Sequence, residues 1–198
     1  MGEVKKGALL GRREAVARLL KDRGDMAVVT GLGSPAYDVM AAGDHPRNYY
    51  LWAAMGSAAM MGLGLAMAQP RLPVLVVTGD GELMMGVGGL ATIAVKMPKN
   101  LMIAVIDNGQ FGETGMQRSH SGHGIALEKI AAACGFPWTV EIRDLAGVDE
   151  VRARTHSMAG LGFATIKVKA ENPERVLPPR DGPYIKNRFR AALGFETI

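Results

Sequence analysis

Two stretches of the chain are apolar at every position: residues 74–77, Val-Leu-Val-Val, and residues 101–106, Leu-Met-Ile-Ala-Val-Ile. A strand with one face in water alternates apolar and polar residues. A strand covered on both faces does not, so these runs predict central strands of a parallel sheet, the first extending over 74–78. Shorter β-branched or apolar runs at 26–30, 139–142 and 163–168 predict three more strands. Between them, apolar residues recur at helical spacing over 34–42, 56–68, 83–96, 126–134 and 148–158. Strand–helix alternation of this kind implies right-handed βαβ crossovers and an α/β fold: an open, doubly wound, mainly parallel sheet flanked by helices.

The two ends read differently. An opening helix over 6–22 sets Leu9, Leu10, Ala15, Val16, Leu19 and Leu20 among basic residues. From Asn172 onward, Pro173, Pro178, Pro179 and Pro183 interrupt the chain before a basic amphipathic segment over 184–193. We expect an α/β domain with its N-terminal helix over 1–170, and an arm and helix over 171–198 laid on that domain or on a partner subunit. The run Lys186-Asn187-Arg188-Phe189-Arg190 reads as a solvated helix face.

Composition changes this picture little. With 48% hydrophobic and 21% charged residues, the 198-residue chain has the make-up of one globular unit. A net charge of +4, spread along the chain with 6% aromatics, argues against nucleic-acid binding. Met1-Gly2-Glu3-Val4-Lys5-Lys6 is not an apolar signal core, and the apolar run over 53–68 is short for a bilayer. A soluble chain with no membrane association is expected. Cys134 is the sole cysteine, so no intrachain disulfide can form, and a cytoplasmic location is expected. Cys134 itself reads as a small buried residue on an apolar helix.

In open α/β sheets, ligands bind beyond the carboxyl ends of the strands. Two polar groups follow strands directly: Gly79-Asp80-Gly81-Glu82 and Asp107-Asn108-Gly109-Gln110. Asp80 and Asn108 supply hard oxygen ligands suited to Mg²⁺ or Ca²⁺; Mg²⁺ shares its octahedron with waters and phosphates. The glycines let backbone turn sharply and approach a phosphate, and helix amides from Leu83 onward can face an anion. Each group also reads as a plain strand-to-helix turn. The span 82–106 holds one helix and one strand, which brings the second loop beside the first.

Gly79-Asp80-Gly81 followed by Asp107-Asn108 resembles the thiamine diphosphate signature, Gly-Asp-Gly and then Asn-Asn. Asn48-Tyr49-Tyr50-Leu51-Trp52-Ala53-Ala54-Met55-Gly56-Ser57 resembles the segment where those enzymes seat the aminopyrimidine. The loop Asp107-Asn108-Gly109-Gln110-Phe111-Gly112-Glu113-Thr114-Gly115-Met116-Gln117 and the tail over 185–193 are similar to sulfopyruvate decarboxylase β subunits. The C-terminal half of phosphonopyruvate decarboxylase is a further likeness. The resemblance implies that Asp80, Asn108 and the Gln110 carbonyl bind Mg²⁺. It also implies that Gly79, Gly81, Glu82, Phe111, Gly112 and Thr114 line the cofactor, with the Met55 side chain under the thiazolium and the backbone of Met55 and Ala53 against the pyrimidine ring. Plain core packing is the competing reading for Met55, since Met60, Met61 and Met67 lie nearby. Two departures stand out. Asp107 replaces Asn, and Glu82 stands where many decarboxylases have Ser; a carboxylate there repels the diphosphate unless it faces away or pairs with a cation.

The activating glutamate of such enzymes lies on a pyrimidine-binding domain that has no counterpart here. The resemblance therefore implies an α subunit as partner, in an α₂β₂ assembly or a multiple of it, and nonoxidative decarboxylation of a small 2-oxo acid. His120 and His123 are candidates to bind the substrate anion or carry a proton, against the reading of exposed loop histidines. Gln117 and Arg118 are candidate substrate contacts. The alternatives are another thiamine diphosphate β subunit or a noncatalytic binding module. A 2-oxo acid oxidoreductase would be expected to carry extra cysteines for a cluster that Cys134 alone cannot hold. A nucleotide-binding domain is disfavoured because Gly31-Leu32-Gly33-Ser34-Pro35-Ala36 ends its glycine pattern in Ala.

Overall fold

The computed structural model describes residues 9–197. Gly11 breaks the entering chain, and α1 runs over Arg12–Leu19. The expected helix over 6–22 is thus shorter: 6–8 lie outside the described residues, and Leu10 bridges Val168 in an extended conformation. Next come β1 (Ala27–Thr30), α2 (Ser34–Ala41, with a proline in its first turn) and β2 (Asn48–Tyr50). Then follow α3 (Ala58–Ala68), β3 (Val74–Gly79), α4 (Asp80–Met85), α5 (Gly89–Lys96) and β4 (Leu101–Asp107). A small hairpin, β5 (Gln110–Phe111) and β6 (Gln117–Arg118), leads into a 3₁₀ turn over Ser121–His123. The rest is α6 (Leu127–Cys134), β7 (Trp138–Ile142), α7 (Leu145–His156), β8 (Gly162–Lys167) and α8 (Gly182–Ala192).

Six strands form one parallel sheet in the order β2-β1-β3-β4-β8-β7. The continuous apolar runs occupy its centre as expected. Along β3, Leu75 and Val77 enter the core shared with α1, α2, α7 and α8, while Val74 and Val76 enter the core shared with α3, α5 and α6. β4 repeats the alternation with Met102, Ala104 and Ile106 against Leu101, Ile103 and Val105. With both faces covered, the helices wind on both sides. From β1 the chain moves outward to β2 and then returns to place β3 on the other flank of β1. Strand order therefore reverses between β1 and β3, which opens a crevice at their carboxyl ends.

Four features depart from the hydrophobic pattern. β2 has only three residues, and its polar Asn48 and Tyr50 are buried by hydrogen bonding, Asn48 Nδ2 donating to the Tyr50 hydroxyl at 2.9 Å. The predicted helix over 83–96 is two helices, because Gly86 lies against Gly56 so closely that a Cβ at 86 would stand 1.9 Å from the Gly56 carbonyl oxygen. The solvated face expected over 186–190 is partly covered: Phe189 is buried edge-on against Tyr49, and Arg188 pairs with Asp44 at 2.6 Å. Cys134 is half-buried rather than buried. The arm before α8 lies on the domain, where Trp52 Nε1 donates to the Pro179 carbonyl at 2.8 Å. No helix among the described residues is long and apolar enough to cross a membrane.

Candidate functional site

A cleft of about 190 Å³ opens at the β1/β3 crevice. Leu32, Ser34 and Pro35 line it from the end of β1 and the start of α2. Gly79, Asp80, Gly81 and Glu82 line it from the end of β3, and Met55 from the loop before α3. Asn108, Gln110, Phe111, Gly112, Glu113 and Thr114 close it from beyond β4. The structure thus brings together the groups that sequence spacing placed on one sheet edge. Gly81 meets Phe111 directly, since a Cβ at 81 would fall 2.3 Å from the ring, so glycine is required for the two loops to touch.

Asp80 begins α4 and is buried. Its Oδ2 accepts from the hydroxyls of Ser119 and of Ser121, the latter at 2.8 Å. Burial pushes its pKa up, opposed by the serine hydrogen bonds and reinforced by the nearby Asp107. No lysine or arginine pairs with it among the described residues. Asp107, also buried, has such a partner: Lys167, its register neighbour on β8, forms an ion pair with Oδ2. Ser121 Oγ stands 2.7 Å from Asp107 Oδ1 and so bridges the two acids. Gly109 N donates to Asp107 Oδ1 at 2.9 Å, and Gln110 N donates to Asn108 Oδ1 at 3.0 Å. These two turns fix the loop and leave a lone pair of the Asn108 oxygen free.

The donor set fits a hard divalent cation with an anionic ligand. One buried carboxylate without a counter-cation among the described residues stands beside a half-buried amide oxygen and a loop carbonyl at Gln110, in a cleft edged by glycine backbone. Glu82 does not stand as a free charge in the cleft. Its Oε1 accepts from Gly56 N at 2.8 Å and Ala58 N at 3.3 Å, and its Oε2 takes the Thr78 hydroxyl. The carboxylate thereby ties the loop carrying Met55 to α4.

Met55 is 41% exposed and faces the cleft rather than the core. Ala53, on the same loop, has φ +57, a left-handed conformation that is costly for a residue with a Cβ. His120 and His123 are exposed on the segment after β6, and neither lines the cleft. His120 stands edge-on to Phe111 with ring centroids 6.4 Å apart, which links it to the cleft wall. Gln117 turns back on its own hairpin, donating to the Thr114 carbonyl at 2.8 Å. Sequence reasoning missed Ser34, Glu113, Ser119, Ser121 and Lys167. A signal existed for Lys167: an aspartate ending an apolar buried strand needs a cation, and a lysine ends the run over 163–168 one residue from its close.

Residues 33–168 match the C-terminal TPP binding domain of thiamine pyrophosphate enzymes, and the chain belongs to that family. Its relatives make the class narrower. It is 34% identical over 182 residues to sulfopyruvate decarboxylase of Methanosarcina acetivorans, covering 92% of this chain and 47% of that protein. It is 34% identical to sulfopyruvate decarboxylase subunit beta of Methanothermobacter thermautotrophicus, covering 91% of this chain and 94% of that subunit. Phosphonopyruvate decarboxylase of Streptomyces viridochromogenes is 35% identical, over 91% of this chain and 45% of that protein. The chain thus spans about half the length of two of these decarboxylases and nearly all of the β subunit. In fold it is similar to benzoylformate decarboxylase from Polynucleobacter necessarius, with a TM-score of 0.73 at 15% identity, over 87% of this chain and 36% of that one.

Proposed function

We propose that this chain is the diphosphate-binding β subunit of a thiamine diphosphate- and Mg²⁺-dependent 2-oxo acid decarboxylase, a carbon–carbon lyase of the sulfopyruvate type. The observation that carries the reading is Asp80: a buried carboxylate held by hydroxyls, without a cation among the described residues, on the wall of a cleft at the strand-order reversal. Asp80 and the Asn108 side chain, with the Gln110 carbonyl, would hold Mg²⁺. The backbone of Gly79 and Gly81 would receive the diphosphate, with Phe111, Gly112 and Thr114 closing over it. Met55 and the backbone of Ala53 would seat the rings.

When bound, thiamine diphosphate would supply the nucleophile and electron sink for decarboxylation of a 2-oxo acid. The chain's own residues bind, orient and shield. Met55 props the ring end, Glu82 holds the Met55 loop, and the Ser119–Ser121 pair fixes Asp80 in its ligating position. His120 and His123 are assigned to substrate anion binding or proton delivery. A pyrimidine-binding α subunit completes the site in an α₂β₂ assembly or a multiple of it, in the cytoplasm. Sulfonate- and phosphonate-bearing acids are both candidate substrates, given comparable identity to decarboxylases of each.

The test is calorimetric titration of thiamine diphosphate with Mg²⁺ into wild type and Asp80→Ala, with the chain alone and mixed with a neighbouring reading frame's product of similar size. Binding that needs Mg²⁺, strengthens with the partner and disappears in Asp80→Ala supports the reading and licenses assays of CO₂ release from sulfopyruvate and phosphonopyruvate. Absence of binding with a verified partner would leave a noncatalytic α/β module.

A further inference from the structure

Next to the cofactor cleft, and sharing Ser34 and Glu113 with it as lining, lies a second chamber of about 210 Å³. Its walls are Arg12, Ser34, Tyr37, Glu113, and the arm residues 172–175. Asp80, Asn108 and the glycines of the cleft take no part in it. The notable residue is Arg12, the first residue of α1, which is 2% exposed. Its Nε and Nη1 are buried without a hydrogen-bond partner among the described residues. Asp38 Oδ2 stands 3.3 Å from Nε but does not meet hydrogen-bond geometry, and the same carboxylate is shared with Arg13, whose Nε lies 3.4 Å from Oδ1. Two guanidinium groups therefore divide one carboxylate. A buried cation with unmade hydrogen bonds is costly, and structures seldom keep one without a ligand or a function.

Other donors border the same space. Ser34 opens α2. Asn172 Nδ2 has the Met116 sulfur as its partner, at 3.3 Å, a weak acceptor easily given up. Arg175 lies over the Tyr37 ring and pairs with Glu113 at 3.0 Å, so the Glu113 charge is already compensated. Glu174 is exposed, and its backbone carbonyl is taken by Arg13. We propose that this chamber is a second anion-binding site, for a small tetrahedral oxyanion of the phosphate, sulfate or phosphonate class, with Arg12 at its floor. A guanidinium presents paired N–H groups that match two oxygens of such an ion. Ser34 and Asn172 line the same space and can donate to the remaining oxygens, while the Tyr37 hydroxyl is engaged with Glu113. The cavity is several times the ~30 Å³ share of one water in the liquid, which is room for one such ion.

The site would take either a free ion or the terminal group of a small metabolite. Isothermal titration of the full chain with inorganic phosphate, at constant ionic strength, is the direct probe. It should be run both free and with the cleft saturated by thiamine diphosphate and Mg²⁺. One phosphate per chain, bound in both states, is expected. Arg12→Gln should weaken it by about tenfold or more, as loss of a charged hydrogen-bond donor does. Asn172→Asp, at an exposed wall position that does not burden the fold, should weaken it as well and serves if Arg12→Gln fails to fold. Methylphosphonate in place of phosphate identifies the source: tighter binding points to a metabolite's terminal group, weaker binding to the free ion. Heat that vanishes once the cleft is filled places the ion in the diphosphate site and overturns the proposal. So does binding unchanged in Asn172→Asp and Arg12→Gln, or no saturable binding by wild type. The titration of the free chain does not depend on the cofactor assignment, so failure of thiamine diphosphate to bind would sink that assignment and leave this one standing.

Discussion

The loops after β3 and β4 each place a buried aspartate at the end of a central strand, yet the two acids are held in opposite ways. Asp107 has Lys167, the Gly109 amide and the Ser121 hydroxyl; Asp80 has two serine hydroxyls and Asp107 as a neighbour. Both acids are nearly inaccessible, so burial alone does not separate them. The counter-cation does. A buried carboxylate supplied with a lysine is complete, and one left with hydroxyls is poised for a cation from solution. Ser121 couples the pair: its single proton is donated to one acid at a time, though it stands 2.8 Å from Asp80 and 2.7 Å from Asp107.

The largest expected effect comes from breaking the complete acid. Lys167→Met leaves Asp107 buried and unpaired and should cost about 3–5 kcal/mol in denaturant unfolding. Adding Asp107→Asn to it should recover much of that loss. Asp38 is a third buried case and sharpens the comparison through pH. Burial outweighs Arg12 and Arg13 and raises its pKa from 3.8 to about 6. The native state therefore holds this proton more tightly than the unfolded chain. The stabilisation is fully present below about pH 3.8 and is lost as pH rises through about 6, a swing of about 3 kcal/mol at most. Asp38→Asn should flatten that part of the stability profile, measured by melting across pH.

Asp80→Asn should act in the reverse sense to Lys167→Met. Its pKa is also raised by burial, so its contribution to stability is lost as pH rises, and removing the charge should stabilise the metal-free chain near neutrality. The same variant should lose Mg²⁺-dependent cofactor binding, and a melting curve with and without ligand checks both. The smallest effect is expected at Thr114→Ala: the residue sits on the exposed hairpin, and stability should stay within about 0.5 kcal/mol.

The sequence carried the sheet because β3 and β4 are apolar without interruption, a pattern few other environments explain. It carried the cleft because Asp80 and Asn108 directly follow those strands. It did not carry β2, whose three residues are too few for a period and whose burial comes from the Asn48–Tyr50–Asp44 hydrogen bonds. Nor could it reveal the split between α4 and α5, since Gly86 is tolerated within a helical pattern and only its contact with Gly56 makes it a break. Ser119 and Ser121 flank His120 in a stretch with no hydrophobic period to mark them as buried. Their burial follows from the Gly122–Gly109 contact, where a Cβ at 122 would come within 2.2 Å of the Gly109 oxygen. Contacts between distant glycines leave no local trace.

The same Gly56–Gly86 contact has a consequence for what the cleft accepts. Backbone touches backbone there, and Glu82 clasps the amides of Gly56 and Ala58 from the other side. The loop that carries Met55 and the helix that begins at Asp80 are thus fastened to each other at two places, like the two jaws of a fixed gauge. Neither jaw can open without dragging the other, so the spacing of the two cleft walls is set before any ligand arrives.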